Sequence, residues 1–188
     1  MTMADDVVTA AEFDRFDVGR LIPLIRDIPD YPLPGIRFRD ITPLLADPAG
    51  FAQALSVMAS PWSAQDIDVV VGVEARGFIL AAPIALELHA GFVPVRKAGK
   101  LPGVTRAVAY DLEYGQAVLE IHEDAIVPGA RVLIVDDVLA TGGTVAATIQ
   151  LLRDGGAEVV GVSMLMELTA LGGRARLTGV PLSALFQA

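Results

Sequence analysis

The most constraining feature of this chain is a strand-like segment that runs into a glycine-rich turn, residues 131–144. Residues 131–135, Arg-Val-Leu-Ile-Val, are mostly aliphatic and β-branched, which is typical of a buried strand. Two adjacent carboxylates, Asp136 and Asp137, come next, and Ala-Thr-Gly-Gly-Thr completes the segment after two apolar residues. Because a helical pattern begins directly after this turn, the segment predicts the strand–turn–helix unit of an α/β fold.

The turn at residues 140–144 has the properties of an anion site. Backbone N–H groups at the start of a helix face an anion at the positive end of the helix dipole. No Gly-Lys-Ser/Thr follows the glycines, so the turn is not a P-loop. Adjacent acids at the end of a buried strand repel each other and need a ligand, a cation or hydrogen-bond donors. The segment therefore predicts a phosphate cradle beside two acceptors for sugar hydroxyls.

Composition bounds the class of protein. The 188 residues are 53% hydrophobic and 20% charged, which indicates one globular domain with a sizeable core. The absence of cysteine excludes disulfides, thiolate metal sites and thiol catalysis, and is compatible with a reducing compartment. The longest apolar tract, residues 77–95, is interrupted by Pro83, Glu87 and His89, so it predicts a buried helix and a strand rather than a membrane span. The acidic N-terminus does not resemble a secretory signal.

The distribution of charge points to a small anionic ligand. The net charge of −9 argues against non-specific binding of nucleic acid. Against this background the chain has two lysines, Lys97 and Lys100, and Arg96 stands beside them. We interpret this local basic cluster as a site for a highly charged anion, with a solvated basic loop as the alternative.

Helical and strand patterns alternate along the chain, which predicts a parallel sheet with helices on both faces. The predicted helices are residues 18–28, 47–59, 77–88 and 144–154. The predicted strands are residues 68–72, 92–96, 117–122, 131–135 and 158–166, with a final segment near residues 182–186. The polar residues 1–17 are predicted to be an N-terminal extension, and residues 18–188 a single domain.

Three further stretches carry candidate functional residues. Arg76 lies in the turn between a predicted strand and helix, where it could meet a phosphate, and this turn should flank the same crevice as residues 140–144. Phe38 stands between two arginines after a Pro-Gly turn, where its ring could stack on a flat base. Residues 97–114 are the least regular stretch and are predicted to form a functional lid.

Six motifs together resemble one family. They occur in the order Tyr-Pro-Leu-Pro-Gly-Ile-Arg-Phe-Arg-Asp-Ile-Thr-Pro, Gly-Val-Glu-Ala-Arg-Gly-Phe, Val-Pro-Val-Arg-Lys-Ala-Gly-Lys-Leu-Pro-Gly, Tyr-Asp-Leu-Glu-Tyr-Gly, Leu-Glu-Ile-His-Glu-Asp-Ala and Val-Asp-Asp-Val-Leu-Ala-Thr-Gly-Gly-Thr. Over about residues 18–169 the chain resembles the adenine phosphoribosyltransferases, within the type I phosphoribosyltransferase family. The resemblance implies the type I phosphoribosyltransferase fold, an α/β fold in which helices flank a parallel-sheet core. A small hood from the N-terminal region and a flexible lid loop complete that fold.

The resemblance also implies a two-substrate site for phosphoribosyl pyrophosphate (PRPP) and adenine. The implied PRPP-binding residues are Ala75, Arg76, Arg96, Lys100, Asp136, Asp137, Ala140, Thr141, Gly142, Gly143 and Thr144. Within this set, the loop would bind the 5′-phosphate, the two acids the ribose hydroxyls, and Ala75, Arg76 and Lys100 pyrophosphate. The family often has a non-proline cis peptide at the pyrophosphate site, and Arg96 would lie near a dimer interface.

For the base, the resemblance implies Phe38 and Val138 as the two faces of an adenine pocket, with the backbone at Arg37 and Arg39 at its edge. Valine at 138 departs from the leucine common in the family and keeps the apolar contact. Glu113 would handle a proton near purine N7, and with Arg76 and Lys100 it forms the implied catalytic set.

The implied reaction is Mg²⁺-dependent formation of AMP and pyrophosphate from adenine and PRPP. The ion would be held mainly by PRPP oxygens and water, without direct protein ligands. The implied enzyme is a cytoplasmic homodimer that binds neither nucleic acid nor membrane. A phosphoribosyltransferase for 6-oxopurines or xanthine stays open, although such enzymes typically place a lysine on the ring oxygen. A non-catalytic PRPP-sensing regulator also stays open, although residues 1–17 are too few for a DNA-binding domain.

Overall fold

The computed structural model describes residues 18–111 and 115–188. Its α-helices are α1 (Thr42–Ala46), α2 (Pro48–Ala59), α3 (Gly77–Glu87) and α4 (Gly143–Asp154). Its strands are β1 (Arg26–Pro29), β2 (Arg37–Asp40), β3 (Val69–Val73), β4 (Gly91–Lys97), β5 (Thr105–Asp111), β6 (Gln116–His122), β7 (Arg131–Leu139), β8 (Glu158–Glu167) and β9 (Leu182–Gln187). Short 3₁₀ turns cover Val18–Arg20, Ile22–Leu24, Ser60–Trp62, Thr169–Leu171 and Gly173–Arg176.

Seven of the described strands form one mixed sheet in the order β5-β6-β4-β3-β7-β8-β9. The pairs β3–β4, β3–β7, β7–β8 and β8–β9 are parallel, whereas β6 runs antiparallel to both β4 and β5. The predicted parallel core is confirmed, and it carries an antiparallel hairpin at one edge. Strand β3 lies in the middle of this sheet and pairs with β7, so the two strands present their carboxyl ends side by side.

Alternate side chains of the central strands fill two separate cores, one on each face of the sheet. Val70 and Leu133 face the core built from α2 and α3, whereas Val71 and Ile134 face the core built against α4. This period of two is the expected geometry of a strand buried on both sides. Helices on both faces are therefore confirmed. Within the described residues, no helix is both long and apolar enough to span a membrane.

Helix α2 begins where its sequence signals predict. The side chain of Asp47 accepts a hydrogen bond of 2.6 Å from the backbone N–H of Gly50, and Pro48 occupies the first helical position. The helix ends at Ala59, as predicted. The short helix α1, which precedes it, was not predicted, because five residues show too little of the helical period to be recognised.

The predicted helix at residues 18–28 is wrong. Two 3₁₀ turns and strand β1 occupy this stretch, and β1 pairs antiparallel with β2. Pro23 lies in the middle of the stretch, where it lacks an N–H and would clash with the preceding turn of an α-helix. Leu21 is buried but Ile22 is 61% exposed, so the apolar spacing does not correspond to one buried helical face. The β1–β2 hairpin is the counterpart of the predicted hood.

The irregular structure predicted for residues 97–114 is wrong for the second half of this stretch, whereas the lid function stays a prediction. Residues Thr105–Asp111 form strand β5, which pairs with β6 from Thr105 opposite His122 to Asp111 opposite Gln116. An edge strand of this kind is stabilised by its hydrogen-bonded neighbour, so its own sequence carries a weak signal. Residues 112–114, between β5 and β6 in the chain, lie outside the described residues, as does the predicted extension at residues 1–17.

Candidate active site

The two predicted loops meet at the carboxyl ends of β3 and β7. Helix α3 begins four residues after β3 ends, and a Cβ atom on its first residue, Gly77, would lie 2.6 Å from Oδ1 of Asp136. Glycine at this position therefore lets α3 start directly against β7. A cleft of about 420 Å³ opens here. It is lined by Glu74, Ala75, Arg76, Lys97, Tyr110, Ala117, Leu119, Asp136, Asp137 and Thr144.

The acid pair lies within β7, because this strand runs through Leu139 instead of ending at the predicted residue 135. Both Asp136 and Asp137 are buried. Burial raises the pKa of the Asp136 carboxyl well above its ordinary value, and the neighbouring Asp137 charge raises it further. The backbone N–H of Asp137 donates a 2.8 Å hydrogen bond to Oδ1 of Asp136 and offsets part of this effect. Simultaneous ionisation of both buried carboxyls is therefore disfavoured in the described structure.

Arg76 is the cation nearest to this pair. Its Nε lies 2.7 Å from Oδ2 of Asp137, yet the N–H is not aligned well enough for a hydrogen bond, and Oδ2 keeps no aligned donor. The contact is therefore an ion pair by distance rather than a directed hydrogen bond. The Arg76 guanidinium also lies 5.4 Å from the centre of the Phe38 ring. One side chain thus connects the acid pair with the β1–β2 hairpin.

Phe38 is half-buried on β2 and offers an aromatic face to the cleft side of the hairpin. The ring of Tyr31 meets it edge-on, with centroids 5.3 Å apart. The side chains of Arg37 and Arg39 both pair with Asp27 on β1, the former at 3.2 Å. Each guanidinium uses its Nη1 for this pairing and keeps further N–H donors. A strand in a two-stranded sheet pairs along one side only, so its other side remains open.

The predicted basic cluster is gathered around one buried carboxylate, Glu74, whose side chain is 5% exposed. It accepts hydrogen bonds from Arg96 Nε at 3.1 Å, from the backbone N–H of Lys97 at 3.2 Å and from Lys100 Nζ. Burial alone would raise the pKa of Glu74, but these donors together lower it. Lys100 is therefore held by Glu74, and a pyrophosphate would have to compete with that carboxylate. The Glu74–Ala75 peptide is cis, as the resemblance implies.

The glycine-rich turn forms a recess of about 90 Å³ beside the cleft. Residues 140–144, Val138 and Asp136 are among those that line it. Gly142 has a φ of +80°, a left-handed conformation that most side chains disfavour. No side chain caps the N-terminus of α4, so its first N–H groups remain available to an anion. The Thr144 hydroxyl lies 3.3 Å from the hydroxyl of Tyr110 on β5.

Comparison with known proteins agrees with this architecture. Residues 51–176 match the phosphoribosyl transferase domain family. The chain is 58% identical over 170 residues to an adenine phosphoribosyltransferase of Thermobifida fusca, which covers 90% of this chain and 97% of that relative. It is 61% identical over 154 residues to the protein of that name from Cutibacterium acnes, covering 82% and 86%. The chain belongs to the adenine phosphoribosyltransferase family.

Solved structures of adenine phosphoribosyltransferases share the fold. The Rhodothermus marinus structure has a TM-score of 0.87 and 50% identity, over 96% of this chain and 100% of that one. The Saccharomyces cerevisiae structure, complexed with adenine and an imino-altritol bisphosphate, has a TM-score of 0.85 and 36% identity, over 94% and 99%. The predicted family and fold are confirmed.

Several residues at this candidate site had no clear signal in the sequence. Tyr110 lies in the stretch that is predicted to form a lid. Only the alternation of small and larger residues in β5 could have indicated that its side chain faces the cleft. Lys97 was not among the predicted site residues, yet it lines the cleft, whereas the predicted Lys100 pairs with Glu74. Glu113 lies outside the described residues, so its assignment stays a prediction.

Proposed function

We propose that the chain transfers the 5-phosphoribosyl group of PRPP to N9 of adenine. The new bond joins N9 to the anomeric carbon, the bond from that carbon to pyrophosphate oxygen breaks, and the base gives up a proton. The observation that carries the proposal is the adjacency of Arg76, the buried acid pair and an uncapped helix N-terminus. These groups are suited to a leaving pyrophosphate, ribose hydroxyls and a terminal phosphate, respectively.

In this proposal the backbone N–H groups of residues 140–144 hold the 5′-phosphate at the start of α4. Asp136 and Asp137 accept hydrogen bonds from the 2′- and 3′-hydroxyls of the ribose. Sugar hydroxyls would supply the aligned donor that Oδ2 of Asp137 does not have in the described structure. Binding of the sugar would release Arg76 from Asp137, and the freed guanidinium would turn to the pyrophosphate.

Leaving-group stabilisation is assigned to Arg76 and Lys100, with Ala75 and Arg96 beside them. As the bond to pyrophosphate breaks, positive charge develops on the ribose and negative charge on the departing oxygen. Fixed cations aimed at that oxygen lower the barrier most when water is excluded. Lys100 would exchange its ion pair with Glu74 for one with pyrophosphate.

Adenine is proposed to bind between Phe38 and Val138, with the backbone at Arg37 and Arg39 reading its edge. The pairing of β2 with β1 alone among the described strands supports backbone recognition, because the backbone groups along the other side of β2 are not used by a neighbouring strand. Glu113, which lies outside the described residues, is proposed to handle the proton near N7.

Mg²⁺ is proposed as the cofactor. Within residues 18–111 and 115–188, no group of three or more His, Asp or Glu side chains is arranged to hold a metal. The acidic side chains here fit an ion that arrives with PRPP. Oδ2 of Asp137 is buried and accepts no hydrogen bond in the described structure, so it could accept one from a water bound to the ion. When bound, the ion would neutralise charge on the pyrophosphate. Asp136 and Asp137 would contact its water shell, and PRPP oxygens would coordinate it directly.

The base assignment is tested with a panel of four bases. With Mg²⁺ and PRPP, the purified chain is expected to form AMP from adenine at least about a hundredfold more efficiently than nucleotides from hypoxanthine, guanine or xanthine. A site built to hydrogen-bond one edge pattern rejects bases that leave its polar groups unpaired. Equal or faster turnover of hypoxanthine would contradict the assignment. PRPP binding without base-dependent pyrophosphate release would instead support a regulator.

We further propose that residues 18–188 form one domain that acts as a cytoplasmic homodimer, with residues 1–17 as an extension. PRPP is too highly charged to cross a membrane unaided, which favours a location where it is made. For the dimer, Ile79, Pro83 and Leu86 lie at helical spacing along α3, and Ile79 and Leu86 are exposed. A second copy that covers this apolar face would approach Arg96, whose guanidinium lies 6.0 Å from the ring of Phe78 on α3.

Sedimentation velocity tests the dimer. The unsubstituted chain is expected to sediment as a species of about twice the 19.7 kDa mass of one chain. The Leu86→Glu variant is expected to sediment as a monomer, because association would bury the new charge. Val127→Glu, at an exposed apolar residue outside α3, is the control and should remain dimeric. A monomeric unsubstituted chain, or a dimeric Leu86→Glu variant, would contradict this interface.

A further inference from the structure

The phosphate-binding turn rests on a second turn, Gly173–Arg176, that follows β8. A Cβ atom on Gly142 would lie 2.5 Å from the carbonyl oxygen of Gly173, and one on Gly173 would overlap the carbonyl oxygen of Ala140. The two backbones are therefore in contact with no side chain between them. Because close-packed backbone transmits displacement, a shift of the second turn would move the phosphate-binding turn as well.

Arg174 ties this second turn to the ends of two strands. Its Nε lies 3.0 Å from Oε1 of Glu167, and its Nη2 donates to Oε2 of the same carboxylate. Its Nη1 donates a 3.1 Å hydrogen bond to the carbonyl of Leu182 at the start of β9. The guanidinium thus has three acceptors, the two oxygens of one carboxylate and one backbone carbonyl oxygen. Three acceptors together fix the orientation of its plane.

The carboxylate that receives Arg174 is itself fixed. Glu167 is the last residue of β8 and is 4% exposed. The buried side chain of Leu177, just beyond this turn, adds an apolar anchor. An apolar contact allows sliding, whereas a bidentate ion pair to a buried carboxylate is directional, even though the Arg174 side chain is itself 41% exposed. Arg174 is therefore the directional contact that positions the second turn relative to the end of β8 and the start of β9.

We propose that Arg174 is a positioning residue for the 5′-phosphate of PRPP. It acts through Gly173 on residues 140–144 and touches neither substrate. This inference rests on the proposed function, in which that turn binds the phosphate. Loss of Arg174 should weaken ligands that carry the 5′-phosphate, PRPP and AMP, and leave the adenine pocket at Phe38 unchanged.

Steady-state kinetics with Arg174→Ala test this inference. The KM for PRPP and the dissociation constant for AMP are each expected to rise about tenfold, because small displacements of positioning groups have effects of this size. The KM for adenine and kcat should stay within twofold. Arg174→Lys, which keeps the charge but not the fork, should recover part of the PRPP affinity. Arg176→Ala, at an exposed arginine in the same turn, is the matched control and should behave as the unsubstituted chain.

A double variant covers the case in which Arg174→Ala fails to fold because Glu167 is left buried and unpaired. Arg174→Ala with Glu167→Gln removes both charges and should fold with the same rise in the KM for PRPP. A KM for PRPP within twofold of the unsubstituted value in the double variant would overturn the inference, as would equal rises for adenine and PRPP. If the unsubstituted chain itself makes no AMP, the proposed function fails. If that chain is active and Arg174 has no effect, the positioning inference alone fails.

Discussion

An Arg76→Ala variant is expected to form AMP with a kcat about a hundred- to a thousandfold below that of the unsubstituted chain, the range measured for loss of one preorganised donor at a developing charge. Arg76 Nε lies 2.7 Å from Oδ2 of Asp137 and its guanidinium lies 5.4 Å from the Phe38 ring centre, so it is held where the proposed ribose, base and pyrophosphate regions meet. Single-turnover measurement of AMP formation with saturating PRPP and adenine isolates this chemical step from binding.

The Arg76→Lys variant distinguishes the effect of the positive charge from that of the planar guanidinium group. A lysine keeps the positive charge but not the planar fork, so we expect part of the lost rate to return. Arg153→Ala, at an exposed arginine near the end of α4, serves as the control and should leave kcat unchanged. If Arg76→Ala keeps kcat within threefold of the unsubstituted chain, Arg76 does not stabilise the leaving group.

An Asp136→Asn variant is expected to be more stable without ligand and much poorer at binding PRPP. Burial and the neighbouring Asp137 raise the pKa of the Asp136 carboxyl, so at neutral pH the folded chain bears the cost of either ionising this group or keeping it protonated, and asparagine removes that cost. Its side-chain oxygen can still accept the hydrogen bond from the N–H of residue 137. We expect the Tm at pH 7.5 to rise by about 2–4 °C, which corresponds to about 1 kcal/mol in a domain of this size.

The change of this Tm difference with pH is a second test of the buried charge at Asp136. The pKa of Asp136 is raised in the folded chain, so the folded state holds a proton that the unfolded chain releases near pH 4. The stability contributed by that proton is fully present below the unfolded pKa and is lost as pH rises through the folded pKa. The Tm advantage of Asp136→Asn should therefore shrink as pH falls towards about 4. A constant difference across pH, or a lower Tm at pH 7.5, would contradict the assignment of buried charge.

The functional cost of Asp136→Asn should appear in PRPP affinity. A hydrogen bond to a charged acceptor contributes about 1.5–3 kcal/mol, so we expect the dissociation constant for PRPP to rise about ten- to a hundredfold. Calorimetric titration measures this directly. Asp124→Asn, at an exposed carboxylate, controls for the change in net charge and should alter neither Tm nor affinity.

Local sequence signals predicted the elements that are buried on both faces. Strands β3, β7 and β8 and helices α2 to α4 lie where their apolar periods and caps indicate, within a few residues. The helix predicted before β1 was wrong because Pro23 interrupts the helical period of apolar residues. Strand β5 was missed because its pairing with β6, and not its own sequence, stabilises the extended conformation. Edge strands and short turns derive their stability from partners that are distant in sequence.

The sequence alone determined the family and the chemical groups of the site. The acid pair, the glycine-rich turn and Arg76 are recognisable because each depends on residue types at fixed local spacing. Tertiary structure alone decided which groups meet: Lys100 and Arg96 converge on Glu74, Arg76 joins Asp137 to Phe38, and Gly173 supports the phosphate-binding turn. The physical reason is that the electrostatic and packing energies of these contacts depend on distances between residues far apart in the chain, which local spacing does not encode. The segment 131–144 supplies the groups for a phosphorylated sugar, and the packing of β3, α3 and the turn after β8 around it sets their charge state and position.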